Sequence, residues 1–330
     1  MFVRALGHFH PPNLIDNAFL ESLDIGTDDQ WIVERVGIRT RHTVLPLDYI
    51  RQTRNADPRA AIEAAELSNA ETGAAAARMA LERAGLTPKD IGLVVAGSCS
   101  PDECIPAEAC RIAEELGIDA PAFDLGSACS SFCTQLHFLD GMRPDRLPDH
   151  VLVVNPDNST RVVDYRDRSA CVLWGDASTA AVVSPRVRGP WKIGHTIMRG
   201  DPKGADKVKV PRIGHFTQQG AEVQKFAITR AGETFEALAD AFVAQGGPRE
   251  ALTFIGHQAN LRMLEAVTRR CEIAPSKHLY NVDRRGNSGA AGAPSVLSER
   301  WDDPAVGDAV AMCVVGSGLT WAGALFQRTR

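Results

Sequence analysis

The sequence predicts an α/β protein in which helices layer around sheets. Short apolar and β-branched runs such as "IGLVVAGS" (91–98) and "HVLVVNPD" (150–157) lack the polar alternation of a half-exposed strand, so they read as strands covered on both faces. Helical patterns lie between them, as in "ETGAAAARMALERAGL" (71–86). The chain also echoes itself: Ala77 and Phe235 open similar helix-then-strand stretches 158 residues apart, and the same offset separates the strands starting at Val151 and Ala309. A shared offset for two separate elements suggests a duplicated α/β unit.

In chain order, strands are expected at 91–98, 120–126 ("APAFDLG"), 150–157, 170–175 ("ACVLWG"), 252–258 ("LTFIGHQ") and 308–318 ("DAVAMCVVGSG"). Helices are expected over 71–86, 105–118, 231–246 and 259–273, where apolar residues recur at helical spacing. Residues 43–72 are mixed in charge and 199–220 are polar with prolines and glycines. Both read as excursions outside the core, and segments of that kind often cover active sites.

With 330 residues, 44% hydrophobic and 23% charged, the chain can bury a large core. A net charge of −5 argues against a nucleic-acid binder with a wholly basic surface, although it leaves room for a local basic patch. Residues 1–20 lack the apolar run of a signal peptide, and nowhere do ~18 apolar residues run together, so the expectation is a soluble cytoplasmic protein. Eight cysteines occur without a CxxC pair matched by a second ligand pair, which supports neither a disulfide framework nor a metal site. Cys171 and Cys313 sit in apolar runs and read as packing thiols.

Cys129 in "DLGSACSSFCTQLHFL" (124–139) follows a strand and small residues and is expected in the first turn of a helix. Free N–H groups and the positive dipole end there favour a thiolate and a nearby oxyanion, whereas the plainer reading is one more buried thiol. Two partners suit a nucleophile: His257 in "FIGHQANLRML" and Asn287 in "NVDRRGNSGAAGAPS", each after a strand-like run and before a helical one. A lone histidine is usually a packed or surface residue and a lone Asn before Ser-Gly is usually a turn. Together the three make a nucleophile and two neutral donors for a developing oxyanion, and the order Cys, His, Asn equally fits a papain-type protease.

"SACSSF", "GHQANLRML" and "DRRGNSGAAGAPS", with 128 residues from Cys129 to His257 and 30 more to Asn287, resemble the β-ketoacyl-ACP synthase III family of the thiolase superfamily. "TDDQWIVERVGIRTRH", "WGDASTAAVV" and "VVGSGLTWAGALF" extend the resemblance over nearly the whole chain, and the protease reading loses most of its support. The resemblance implies a thiolase fold: duplicated α/β halves, 1–184 and 185–330, in five αβαβα layers. It implies that Cys129 takes an acyl group from acyl-CoA, and that His257 and Asn287 promote decarboxylation of a malonyl thioester, malonyl-ACP or malonyl-CoA. The resulting carbanion would attack the acyl group, a Claisen condensation that needs no cofactor.

By the same resemblance the backbone N–H groups of Cys129 and Ser317 form an oxyanion hole, Ser317 standing inside what is usually a glycine triplet. Thr27, Trp31, Arg35 and Arg168 are assigned to CoA. Trp31 and Arg35 are four residues apart and share a helix face. Arg262, Arg269 and Arg270 lie at i, i+7 and i+8 and are assigned to docking of acyl carrier protein, where the residues alone read as a solvated stripe. Ile105 matches a position that closes the acyl pocket across a homodimer interface. Arg285, where the family often has histidine, is either a partner for a carboxylated primer or a supporting charge. Cys133 matches no catalytic position and reads as packing. The long 43–72 excursion hints at a specialised pathway of the dialkylresorcinol, quinolone or polyketide-starter type. A thiol hydrolase or a catalytically idle synthase subunit would also accommodate these residues.

Overall fold

The structure, a computed structural model, describes residues 1–329. Nine strands form the main sheet system: β1 Phe2–Phe9, β2 Leu93–Ala96, β3 Ala122–Asp124, β4 Val151–Asp157, β5 Ala177–Ser184, β6 Trp191–Gly200, β7 Thr253–Gly256, β8 Ala309–Gly316 and β9 Thr320–Arg328. They run in the order β7-β8-β9-β6-β1-β5-β4-β2-β3. The β1–β6 junction consists only of Phe2 opposite Lys192 and Val3 opposite Trp191, so the system bends there into two sheets.

The two sheets repeat one connectivity. β1 pairs antiparallel with β5, β5 antiparallel with β4, and β4 parallel with β2; β6, β9, β8 and β7 are joined in the same way. A parallel bridge from Phe254 to His278 stands where β3 stands in the first half.

Seven helices position the layers: α1 Asp29–Arg35, α2 Asn69–Ala84, α3 Glu108–Leu116, α4 Ser131–Gly141, α5 Gly220–Ala244, α6 Leu261–Arg270 and α7 Gly292–Glu299. α2 and α3 cover the outer face of the first sheet, and α5 and α6 that of the second. α4 and α7 lie between the sheets, each packed on strands of both halves, which completes a five-layered thiolase fold.

Strand composition follows from this layering. In β4, Val151 and Val153 enter the central core with Phe132, Leu136 and Met312, while Leu152 and Val154 face α2 and α3. β4, β5 and β8 are therefore buried along their whole length, as continuous apolar runs require. Each fully buried Val or Leu contributes about 1.5–3 kcal/mol of transfer free energy.

The expected strands at 91–98, 120–126, 150–157, 252–258 and 308–318 are present in trimmed form. The strand expected at 170–175 is not: Arg168–Cys171 is a short helix capped by Asp167. Its apolar run is buried instead because the fully buried Arg41 guanidinium takes the carbonyl of Val172, and the chain there packs under the N-terminal excursions. β1, β5, β6 and β9 are not among the expected strands: β1, β6 and β9 mix His, Arg, Thr and Gly with apolar residues, and β5 is mostly Ala, Ser and Thr.

Helix ends shifted for local reasons. α2 starts at Asn69 behind a Ser68–Glu71 capping box, and α3 starts only at Glu108, beyond Pro106. α5 begins at Gly220, eleven residues ahead of the expected start. Residues 43–72 form two short helices, Leu47–Thr53 and Ala60–Ala64, before α2 begins. The 199–220 segment carries a small hairpin, Val208–Lys209 against Thr217–Gln218. Among the described residues, no helix is long and apolar enough to cross a membrane.

Candidate active site

Cys129 sits two residues before α4 rather than in its first turn. The turn that presents it is tight: Ala128 has φ +51°, a left-handed conformation that costs about 1–3 kcal/mol in a non-glycine residue. Serines hold it. The Ser127 N–H donates to Ser131 Oγ at 2.9 Å, Ser131 Oγ donates to the Ala128 carbonyl at 2.6 Å, and Ser130 Oγ donates to the Ser127 carbonyl at 2.7 Å. The small residues of "SACSS" are thus the local means of bending the chain and aiming one thiol.

His257 follows the end of β7, with its N–H donating to the Cys313 carbonyl at 2.8 Å. Asn287 is fixed by a bridge to Trp174: its N–H donates to the Leu173 carbonyl at 2.8 Å and its carbonyl accepts from Gly175 at 3.0 Å. That bridge needs Gly175, whose Cβ would fall 2.3 Å from the Arg285 carbonyl oxygen. Asn287 Oδ1 accepts the Gly289 N–H at 3.2 Å, which leaves the Nδ2–H groups as the donors. His257 and Asn287 are only 7% and 6% exposed.

Cys129, His257, Asn287 and Ser317 line one pocket of about 360 Å³. Its walls are largely apolar, with Trp174, Phe216 and Leu319 around the polar groups, the usual make-up of a small-molecule site. The Cys129 thiol is held well below its ordinary range: a hydrogen bond from Cys99 is the largest cause, and one from His257 adds to it against the opposing effect of burial. Cys133, Cys171, Cys271 and Cys313 are shifted the other way, burial pushing their thiols up.

Trp31, Arg35 and Arg168 stand in the same pocket wall. Two guanidiniums approach the Trp31 ring, Arg35 at 4.8 Å and Arg168 at 4.9 Å from its centre, and Arg168 also donates to the Gly26 carbonyl. Asp28 caps α1 by accepting the Trp31 N–H at 2.7 Å, which fixes the ring's root. Thr27 precedes that cap with a buried hydroxyl that has no protein partner, and it does not reach the pocket lining.

The basic stripe on α6 divides. Arg262 is not a free cation: it donates to the Val33 and Glu34 carbonyls at the end of α1 and pairs with Glu265 at 3.1 Å. It therefore ties α6 to α1, while Arg269 and Arg270 are exposed. The Arg285 guanidinium donates to Glu299 at 2.9 Å and to His42 Nε2 at 2.7 Å, and it is not among the residues that line the Cys129 pocket. Ile105 is 85% exposed and lies outside the Cys129 pocket of its own chain.

Two residues of the site went unnoticed in the sequence. Cys99 places its sulfur 3.5 Å from that of Cys129. Asp157 is fully buried at the end of β4, where it accepts the N–H groups of Cys99 and Ala290, both at 2.6 Å. Burial, followed by the charge of Cys129, raises its carboxyl to about 8. The signal for Asp157 was a polar Asn-Pro-Asp ending on an otherwise apolar strand.

The family model "3-Oxoacyl-[acyl-carrier-protein (ACP)] synthase III" matches residues 123–202 and its C-terminal counterpart matches 244–328. The chain is 33% identical to β-ketoacyl-[acyl-carrier-protein] synthase III of Brucella suis and 30% identical to that of Coxiella burnetii, covering 98% of both chains in each case. Among solved structures it is similar to 3-oxoacyl-[acyl-carrier-protein] synthase III from Aquifex aeolicus, with TM-score 0.86, 28% identity and 99% of each chain covered. It is also similar to a priming β-ketosynthase of a polyketide biosynthetic pathway, with TM-score 0.81, 28% identity, and 99% of this chain and 96% of that one covered. With two family models that together span half its length and full-length relatives at this identity, the chain belongs to the 3-oxoacyl-[acyl-carrier-protein] synthase III family of condensing enzymes.

Proposed function

We propose that the protein carries an acyl group on Cys129 and extends it by decarboxylative Claisen condensation with a malonyl thioester. The observation that supports this most directly is the convergence of Cys129, His257 and Asn287 on one largely apolar pocket.

In the first half-reaction the Cys129 thiolate attacks the carbonyl of an acyl-CoA. Charge on the tetrahedral oxygen is met by the N–H groups of Cys129 and Ser317, and CoA leaves as its thiol. Trp31 stacks on the adenine while Arg35 and Arg168 pair with phosphate, and Thr27 supports the same loop. In the second, loss of CO2 from malonyl-ACP builds negative charge on the thioester oxygen. His257 Nε2–H and Asn287 Nδ2–H donate to it, and being neutral they give up no proton. The carbanion attacks acyl-Cys129, frees its sulfur and yields 3-ketoacyl-ACP. Acyl-CoA is a substrate here and no cofactor takes part.

Arg269 and Arg270 are proposed to attract the acidic carrier protein, with Arg262 holding the helix that presents them. The enzyme is proposed to act as a cytoplasmic homodimer of two-half protomers, 1–184 and 185–330, each lending its exposed Ile105 to the other's acyl pocket. Priming of a polyketide or related specialised pathway is a second reading, favoured by a likeness to the priming β-ketosynthase equal in identity to that of the Aquifex enzyme.

The test is intact-mass analysis after incubation with a panel of acyl-CoAs. A stable acyl adduct is expected, absent in Cys129→Ala, and malonyl-ACP should then discharge it as 3-ketoacyl-ACP. Release of free acid instead indicates a hydrolase, and no adduct with any acyl-CoA overturns the proposal.

A further inference from the structure

Cys99 and Cys129 lie on different segments, yet their sulfurs are 3.5 Å apart. Cys99 does not drift there by chance of packing. Its N–H is gripped by Asp157 at 2.6 Å, the adjacent Ser98 hydroxyl donates to the same carboxylate at 3.2 Å, and a Cβ on Gly289 would come within 3.0 Å of its sulfur. The contact joins two cavities: Cys129 lines the catalytic pocket, and Cys99 lines a second, of about 410 Å³, on its far side.

We propose that Cys99 and Cys129 form a reversible redox pair in which Cys99 resolves an oxidised Cys129 to a disulfide. The oxidant is a hydroperoxide. The Cys129 thiolate attacks the outer peroxide oxygen, the O–O bond breaks, and the alcohol or water leaves after taking up a proton, giving a sulfenic acid on Cys129. The Cys99 sulfur then attacks the Cys129 sulfur, and its S–H proton leaves with the hydroxyl as water. Two sulfurs lose one electron each, and the peroxide is reduced by both.

The protonation states suit these roles. The Cys129 thiol is pushed down by its Cys99 and His257 hydrogen bonds, so it is the sulfur that oxidises. The Cys99 thiol is held up, first by the bond it makes to Cys129 and then by burial, so it keeps the proton that departs with water. Reaching the ~2.05 Å bond length asks the sulfurs to close by about 1.5 Å, a small side-chain rotation. The disulfide protects Cys129 from the irreversible sulfinic and sulfonic stages.

The crosslink is independent of catalysis, whereas its effect on turnover rests on the nucleophile role proposed for Cys129. The whole protein, with the exposed Cys104 and Cys110 replaced by serine, is treated with hydrogen peroxide, alkylated and mapped without reduction. The expected result is loss of two hydrogen masses, one peptide pair joined through Cys99 and Cys129, and loss of acyl-CoA acceptance that dithiothreitol restores. Cys99→Ser, which keeps a hydroxyl to donate to Cys129 but cannot form a disulfide, is expected to proceed to sulfinic acid, with acceptance lost beyond rescue by dithiothreitol. Free Cys99 beside sulfinic Cys129 in the parent protein overturns the proposal. A crosslink in a protein that never accepts an acyl group supports the pair and overturns the proposed function instead.

Discussion

A Cβ added to Gly316 would lie 2.6 Å from the carbonyl oxygen of Ser127 and 2.9 Å from the Ser130 nitrogen. The end of β8 in the second half therefore presses directly on the turn that aims Cys129 in the first. Thr320 strengthens the contact with its hydroxyl, 2.8 Å from Ser130 Oγ. A glycine is demanded here by proximity to backbone, and Ser317, one residue on, escapes the demand.

Gly316→Ala must accordingly push the Cys129 turn away from Ser317, whose N–H is the second proposed oxyanion donor. Displacements near 1 Å at a reacting group cost about 100-fold in rate, and overpacking costs about 1–3 kcal/mol in stability. Stopped acylation followed by intact mass is expected to slow by about that factor in a protein that still unfolds cooperatively. Parental acylation in the folded variant refutes this account of Gly316.

The proposed roles place His257 and Asn287 at a different stage from Cys129, and single substitutions test the difference. Asn287→Ala is expected to accept acyl groups nearly as the parent does but to decarboxylate malonyl-ACP about 100- to 1000-fold more slowly. His257→Ala is expected to show the same loss together with slower acylation, because the His257 bond also lowers the Cys129 thiol. Measurement of CO2 release and acyl adduct on the same samples separates the two; undiminished CO2 release in either variant contradicts its donor role.

What the sequence disclosed of this site follows from periodicity and local order. Buried strands and helices announce themselves through apolar spacing, so β4, β8, α2 and α6 and the positions of Cys129 and His257 after strands are readable, whereas Asn287, expected after a strand, follows the short helix Val282–Arg285. Long-range contacts leave no such mark. The approach of Cys99 to Cys129 spans 30 residues and that of Arg285 to His42 spans 243, and neither is implied by spacing along the chain. Arg262 misled for the same reason: a helical face shows where a charge projects, but the α1 carbonyls that take it lie 228 and 229 residues away. The "ACVLWG" run shows that apolar composition reports burial without fixing backbone shape, since Val172 and Trp174 are core residues outside any strand.

The contacts of Trp31 with Arg35 and Arg168 predict an effect on binding rather than chemistry. Trp31→Ala removes a stacking surface and a contact of both guanidiniums, and a cation–π contact contributes about 0.5–2 kcal/mol. KM for acyl-CoA is expected to rise about 3- to 30-fold with kcat little changed, and Arg168→Ala is expected to raise KM with a reduced dependence on salt. Equal losses in kcat for both variants contradict a purely binding role.

Behind Asn287, acid is expected to undo the Arg285 contact. Arg285 has only donors, so the 2.7 Å contact to His42 Nε2 needs an unprotonated nitrogen, while His42 Nδ1–H donates to the Pro11 carbonyl at 2.6 Å. Burial first, then neighbouring His10 and Arg285, outweigh the Pro11 bond and lower His42 to about 4, and burial with His10 lowers the adjacent His8 to about 4. Both values lie below the ordinary 6.5, so the unfolded chain binds more protons than the native one between those limits. The stability these neutral rings contribute is complete above about pH 6.5 and is lost as pH falls toward about 4. The thermal midpoint should drop over that window, and His42→Gln, which keeps an acceptor for Arg285 but cannot charge, should flatten the drop. An unchanged slope in His42→Gln would show that the acid sensitivity arises elsewhere in the fold.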